Sequence, residues 1–208
     1  MAMIRPPFWL PWIYAGSFWK IKTNEPVVYL TFDDGPIPEV TPWVLDQLAP
    51  TGIKATFFCI GKNVKANPEI YERILSEGHN VGNHTMNHVK GWKTPFKEYV
   101  SEVNCCAALV KSKLFRPPYG RISFRQFYFL KRHFKVVFWD VLSADYDPAV
   151  SADQCVENVI DNIRAGSVIV FHDSLKAGER LKIALPIVLE KIRLMGLRFE
   201  LIDEKLIV

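Results

Sequence analysis

Two adjacent carboxylates, Asp33 and Asp34, stand where an apolar run stops. Val27-Val28-Tyr29-Leu30, bounded by Pro26 and the Gly35-Pro36 pair, reads as a short buried strand, and Thr31-Phe32-Asp33-Asp34-Gly35-Pro36 as its exit into a turn. Neighbouring side chains on a regular strand point to opposite faces, so both carboxylates serve one site only if the chain turns there, which Gly35 and Pro36 permit. Two anions side by side also repel, and a cation relieves the repulsion. The chemistry that suits the pair is one carboxylate on a metal and the other left to move a proton. Taken alone, a turn whose Asp residues cap backbone N–H groups accounts for them equally well.

Further along, His84-Thr85-Met86-Asn87-His88 places two imidazoles at i and i+4, which on a helical turn share one face and can hold one cation. That spacing is a weak sign by itself. An Asp delivered to the same place makes a site of two histidines and one aspartate, with open positions, the better reading. Arg116 precedes Pro117 and Pro118, which stiffen its backbone as a positioning residue needs, although a surface ion pair also explains an arginine. Asp140, Asp145, His172 and Asp173 each fall after apolar runs. His79 is expected in a turn or against backbone groups, and His133, within Lys131-Arg132-His133, in solvent.

These groups meet only if the elements carrying them end together. Thr41 is expected to cap a helix opened by Pro42 and stopped near Pro50, and Ala55 to Ile60 to form a second strand. Asn67 caps a helix from Pro68 towards Gly78, residues 79 to 83 are extended, and a further helix runs from about Pro95 to Lys111. Leu114 to Pro118 is extended, Ser123 to Arg132 helical, and Phe134 to Trp139 a strand. Ser151 caps a helix to about Arg164, Ser167 to Phe171 is a strand, and a helix from about Glu179 to Met195 precedes a last strand, Leu197 to Ile202. Such alternation implies parallel strands joined by crossover helices. A full eight-unit barrel takes about 250 residues, so the expected α/β fold is an irregular, reduced (β/α) barrel of about seven parallel strands with outer helices. Its site would gather at the C-terminal ends of the strands, where the ionisable groups above fall.

With 208 residues, 49% of them hydrophobic, the chain supports one well-buried core rather than two. Residues 26–208 are expected to form that single domain and residues 1–25 an aromatic segment packing on it. A net charge of +4 is spread among acids and not gathered into a block, which argues against nucleic-acid binding. Cys59, Cys105, Cys106 and Cys155 show no C-x-x-C spacing and lean towards a reducing compartment; with no clear secretory signal the cytoplasm is expected, and a periplasmic or membrane-peripheral place is the alternative. Phe8, Trp9, Trp12, Tyr14, Phe18 and Trp19 crowd the first twenty residues, where Pro6, Pro7 and Pro11 interrupt a run too short to span a bilayer and unlike a secretory signal. They are expected to fold back over one end of the domain. Peripheral membrane contact through residues 1–20 is the second reading, resting on the liking of Trp for membrane interfaces.

Thr31-Phe32-Asp33-Asp34-Gly35-Pro36, His84-Thr85-Met86-Asn87-His88, Arg116-Pro117-Pro118-Tyr119, Asp145-Tyr146 and Val170-Phe171-His172 together resemble the five ordered motifs of NodB-type polysaccharide deacetylases, the carbohydrate esterase family 4 domain. The resemblance runs from about Pro26 to Ile202. It implies a metal-dependent hydrolase that removes acetyl groups from N-acetylated amino sugars, such as those of peptidoglycan or chitin oligomers, and releases acetate. A wall-directed substrate requires export, which is the ground for the periplasmic alternative. By resemblance Asp33 is the general base, and Asp34, His84 and His88 are the metal ligands. Arg116 orients Asp33, the Tyr119 backbone N–H helps hold the oxyanion, His172 is the general acid and Asp145 tunes it. Zinc suits two imidazoles and a carboxylate, and cobalt or nickel fits the same ligands. The family's fourth motif usually reads Asp-Trp; here it is Asp145-Tyr146, with Leu142 where an acidic residue is common, and Val170 replaces the usual Leu of the last motif. Two other readings use the same scaffold: a non-catalytic carbohydrate-binding domain, and an amidase for a small non-sugar amide.

Overall fold

The structure, a computed structural model, describes residues 3–203; residues 1–2 and 204–208, the outer ends of the two expected segments, lie outside the described residues. Strand β1 (Val27–Asp33) is buried along its whole length. Its two faces do different work. Val28, Leu30 and Phe32 pack into the larger core beneath the helices, whereas Val27 and Tyr29 join Phe58, Leu114, Val137 and Val168 in a cluster on the other face. Thr31 and Asp33 continue that second face to the end of the strand, so the period-two pattern itself brings one carboxylate to the site.

Seven strands follow the path β5-β4-β3-β2-β1-β7-β6, every pair parallel, with β8 (Arg198–Phe199) paired to the start of β1. The others are β2 (Thr56–Cys59), β3 (Asn80–Asn83), β4 (Leu114–Phe115), β5 (Lys135–Val136), β6 (Val141–Leu142) and β7 (Val168–His172). The edge strands β5 and β6 lie at opposite ends of this path, yet only residues 137–140 separate them in sequence. The sheet must therefore curl until its edges nearly meet, which makes it an incomplete barrel. Around it lie α2 (Thr41–Leu48), α3 (Gly61–Ala66), α4 (Pro68–Ser76), α5 (Phe96–Leu109), α6 (Phe124–Leu130), α7 (Ala152–Ile160) and α8 (Gly178–Leu194), after a one-turn α1 (Leu10–Ile13). The irregular (β/α) barrel anticipated from the sequence is the fold observed.

Several boundaries move for local reasons. The strand expected over Phe134 to Trp139 shrinks to β5, because its partner β4 stops at Phe115 ahead of Pro117; Val137 N–H still donates to Phe115 O (2.8 Å) while Val137 bridges Phe18 on the other side. β6 was not anticipated: two residues between Asp140 and Ser143 show no period. Ser123 and Ser151 form capping boxes with Gln126 and Gln154. Thr41 does not cap its helix, since its hydroxyl donates to Asp173 Oδ2, and the Asn67 amide instead donates to Pro36 O and Asn63 O.

The N-terminal segment lies along the open seam. Leu142 N–H donates to Ile4 O (2.9 Å), Phe18 N–H to Val136 O (2.9 Å), Phe138 N–H to Phe18 O (2.7 Å) and Ile21 N–H to Gly166 O (2.9 Å). Tyr14 and Trp19 are buried with Phe115, Phe127 and Phe138, and Trp19 stacks on Phe138 with ring centroids 4.1 Å apart. Phe8 and Trp12 remain outside, 82% and 78% exposed. Among the described residues no helix is long and apolar enough to cross a membrane.

Candidate active site

The turn after β1 resolves how neighbouring carboxylates reach one place. Asp34 adopts a left-handed backbone (φ 87°), so its side chain leaves the alternation of the strand and comes to the same end as Asp33. The turn is pinned from three sides: Asp173 Oδ1 accepts Gly35 N–H (2.9 Å), Asn63 donates to Asp34 O (2.7 Å) and Ile60 N–H to Gly35 O (3.0 Å). A Cβ on Gly35 would fall 2.0 Å from Asp173 Oδ2, so glycine is required for that approach. The sequence carries Asp173 beside His172 but gives no sign of this role; only the fold brings it beneath Gly35.

His84 and His88 do meet, though not on a helical turn. Residues 84–88 form a loop in which Thr85 (φ 63°) and His88 (φ 56°) are left-handed, and Asn83 Oδ1 accepts Thr85 N–H (2.9 Å) to hold its entry. Left-handed backbone at two non-glycine residues leaves no period in the sequence, which is why the i, i+4 expectation placed the pair correctly for the wrong reason. Asp34 Oδ1 lies 3.8 Å from His84 Nε2 and 3.2 Å from His88 Nε2. Oδ1 is buried without a hydrogen-bond partner, and the three side chains form a cluster able to hold a metal. His84 Nδ1 donates to Arg116 O (2.7 Å), which fixes the tautomer that leaves Nε2 as a ligand. Burial holds His84 well below its usual range, and burial also lowers His88, so both are neutral, as metal binding demands. These residues fit a divalent cation.

Arg116 is fully buried and not on the surface. Its guanidinium donates to Asp33 Oδ1 (2.6 Å), Thr31 Oγ1 (2.8 Å) and the carbonyls of Val137 (3.3 Å) and Phe138 (3.0 Å), and stacks 4.0 Å above the Phe58 ring. One side chain thus ties β1, β2 and the chain beyond β5 together across the barrel. Asp33 Oδ2 is left facing the site, 3.9 Å from His84 Nε2.

On the neighbouring strand His172, which pairs with Asp33 in the register of β7 with β1, donates from Nδ1 to Asp145 Oδ1 (2.7 Å) while its backbone N–H donates to Asp145 Oδ2 (2.8 Å). Ala144 (φ 61°) turns the chain to aim Asp145, and Arg180 donates to Asp145 O (2.6 Å), a support the sequence did not reveal. Burial alone would lower His172, but the Asp145 carboxylate, with smaller help from Asp34 and Asp33, overrides it and pushes the imidazole up to about 9. Tyr146 packs edge-on against His172 at 4.8 Å, taking the place where the motif usually has Trp, and Leu142 is buried in β6. Tyr119, with left-handed backbone (φ 59°), sets its ring 4.6 Å from that of His88.

The other candidates lie elsewhere. Asp140 is structural: it accepts from Ser167 (2.6 Å), Arg164 (3.2 Å) and Arg5 (3.4 Å) at the seam. His79 accepts the Ala55 N–H at 3.1 Å, and burial lowers it to about 4.

An open (β/α) barrel with a carboxylate and two neutral imidazoles at its C-terminal mouth, flanked by a free carboxylate oxygen and a protonated histidine, belongs to the metal-dependent hydrolases. The chain is a member of the polysaccharide deacetylase family, whose model matches residues 20–133. It is 34% identical over 198 residues to a peptidoglycan-N-acetylglucosamine deacetylase of Bacillus cereus, covering 90% of this chain and 92% of that protein. It is 37% identical over 177 residues to a chitooligosaccharide deacetylase of Sinorhizobium fredii, covering 80% of each. A crystal structure of a peptidoglycan N-acetylglucosamine deacetylase, in complex with 4-naphthalen-1-yl-N-oxidanyl-benzamide, superposes with a TM-score of 0.87 at 33% identity over 95% of both chains.

Proposed function

We propose that this chain hydrolyses the acetamido group of N-acetylglucosamine units in an oligo- or polysaccharide, releasing acetate and leaving a free amine. The observation that carries the reading is the convergence of Asp33 and His172, register partners at the ends of β1 and β7, on the Asp34, His84 and His88 cluster. A divalent cation held by those three residues supplies a Lewis acid that polarises a carbonyl and makes water more acidic. Asp33 Oδ2 takes the proton from the attacking water, and Arg116 fixes the carboxylate by its other oxygen. His172 gives its Nε2 proton to the amine nitrogen as the C–N bond breaks; Asp145 orients the ring by holding Nδ1. The Tyr119 main-chain N–H is assigned to the carbonyl oxygen as charge develops there. Relatives acting on peptidoglycan and on chitooligosaccharides support the substrate class.

Zinc is proposed as the metal, since two neutral imidazoles and one carboxylate match its preferred donors. Stripping the metal is expected to reduce acetate release from N-acetylglucosamine oligomers and peptidoglycan fragments to background, and adding zinc or cobalt to restore it. Folded, metal-loaded protein that releases no acetate from either class would return the chain to the binding-domain reading.

The four free cysteines support a reducing compartment, and we place the chain in the cytoplasm, in peripheral contact with the membrane through Phe8 and Trp12. Deleting residues 1–20 would be a poor test, because Tyr14, Phe18 and Trp19 are built into the barrel seam. The double variant Phe8→Ser with Trp12→Ser is expected to keep the fold and lose co-sedimentation with anionic vesicles. Equal sedimentation of both proteins would remove the contact, and recovery of the chain outside the cytoplasm on cell fractionation would remove the placement.

A further inference from the structure

Beside the site, two short segments carry exposed aromatic rings held in fixed positions. Gly91 N–H donates to Arg121 O (3.1 Å), joining residues 90–92 to residues 119–122. A Cβ on Gly91 would lie 2.6 Å from Arg121 O and 2.9 Å from Gln126 Oε1, so only glycine allows this approach. Gln126, itself buried, clamps the junction by donating to Gly91 O and Thr94 O (both 2.9 Å). Trp92 Nε1 donates to Ile122 O (2.9 Å), the same carbonyl that accepts the Tyr14 hydroxyl (2.9 Å).

The result is two cation–aromatic pairs in step. Lys90 Nζ lies 4.5 Å from the Tyr119 ring centroid, and Arg121 lies 5.2 Å from that of Trp92, two residues further along both segments. Tyr119 touches the metal-ligand candidate His88, so the row begins at the mouth of the site. Trp92 is 62% exposed although its indole N–H is tied down. An exposed aromatic ring that is fixed, flanked by donors and continuous with a reaction site is a binding surface more readily than an accident of packing.

We propose that this row is an extended subsite for the sugar units beyond the one being deacetylated, with a sugar ring lying on Trp92 and its hydroxyl or amide oxygens accepting from Arg121 and Lys90. The apolar C–H face of a pyranose matches an aromatic face, and its edge oxygens match the two cations. Continuity with the site through Tyr119 selects the glycan over a lipid surface: a chain whose acetamido group sits at Asp33 and His172 leaves past Tyr119 towards Trp92. The inference rests on the deacetylase reading and adds that the substrate is an oligomer long enough to reach Trp92 from the site.

The test compares metal-loaded wild type, Trp92→Ala and Trp92→Phe on N-acetylglucosamine oligomers from two to six units. In the wild type kcat/KM rises with chain length. In Trp92→Ala the value for the longest oligomers falls about tenfold, the scale of losing one anchoring aromatic, while that for the dimer is unchanged; Trp92→Phe keeps most of the rise. An equal loss on short and long substrates, or no loss, overturns the subsite. If the wild type deacetylates nothing, the deacetylase reading fails instead, and calorimetric binding of the six-unit oligomer decides the surface: equal affinity of wild type and Trp92→Ala, or no binding to either, overturns it.

Discussion

His172→Ala is expected to lower kcat by roughly 10²- to 10⁴-fold, with metal content and thermal stability near those of the wild type. The imidazole is the protonated group assigned to the departing nitrogen, and without it the amine must leave as a poorly stabilised anion. The pH–rate profile carries the sharper test. Asp145 and, to a smaller degree, Asp34 and Asp33 raise His172 from the usual histidine range to about 9, so the acid form persists through neutral pH and activity declines as pH rises through that value. A cation at Asp34 cancels part of the rise, which puts the alkaline limb at or below about 9. Asp145→Asn removes the largest raising influence, and its limb moves to lower pH. Full activity in His172→Ala, or an unmoved limb in Asp145→Asn, would sink the assignment of the acid.

Arg116→Met is the second large effect, and it is first an effect on stability. Removing one partner of a buried ion pair costs about 3–5 kcal/mol, because the surviving charge is left without compensation. For a domain of this size that lowers Tm by roughly 6–20 °C. Thr31 Oγ1 and the carbonyls of Val137 and Phe138 also lose a donor, which adds to the cost. Asp33→Asn introduced on top of Arg116→Met removes the orphaned charge, so the double variant is expected to be more stable than Arg116→Met alone, although inactive. Thermal melts of the two singles and the double decide this. A double variant less stable than Arg116→Met would mean that Arg116 acts chiefly through the barrel carbonyls and not through Asp33.

Much of the site is legible in the sequence because its members sit at the ends of apolar runs, and a barrel sends such ends to one place. β1, β2 and β7 are plain in the sequence as continuous apolar runs, and Asp33-Asp34 and His172 fall at the ends of two of them. The illegible part has a common cause. Asp34, Thr85, His88, Tyr119 and Ala144 all take left-handed backbone without being glycine, and that conformation is imposed by neighbours distant in the chain. Asp173 under Gly35 and Arg116 inside the barrel are likewise visible only in three dimensions: each is an ordinary polar residue until the strand that covers it is placed. Two-residue strands such as β6 carry too few side chains to show a pattern.

Because residues 4–21 seal the gap between β5 and β6, both far later in the chain, this stretch finds its place only after those edges have formed. Until then Tyr14, Phe18 and Trp19 lack the core that buries them and form an adhesive apolar stretch that must be kept from other chains. The same arrangement makes the finished barrel a clasp: peeling back the N-terminal segment strips hydrogen-bond partners from both lips at once and exposes the aromatic cluster around Phe138, so mechanical or proteolytic opening is expected to begin at the seam.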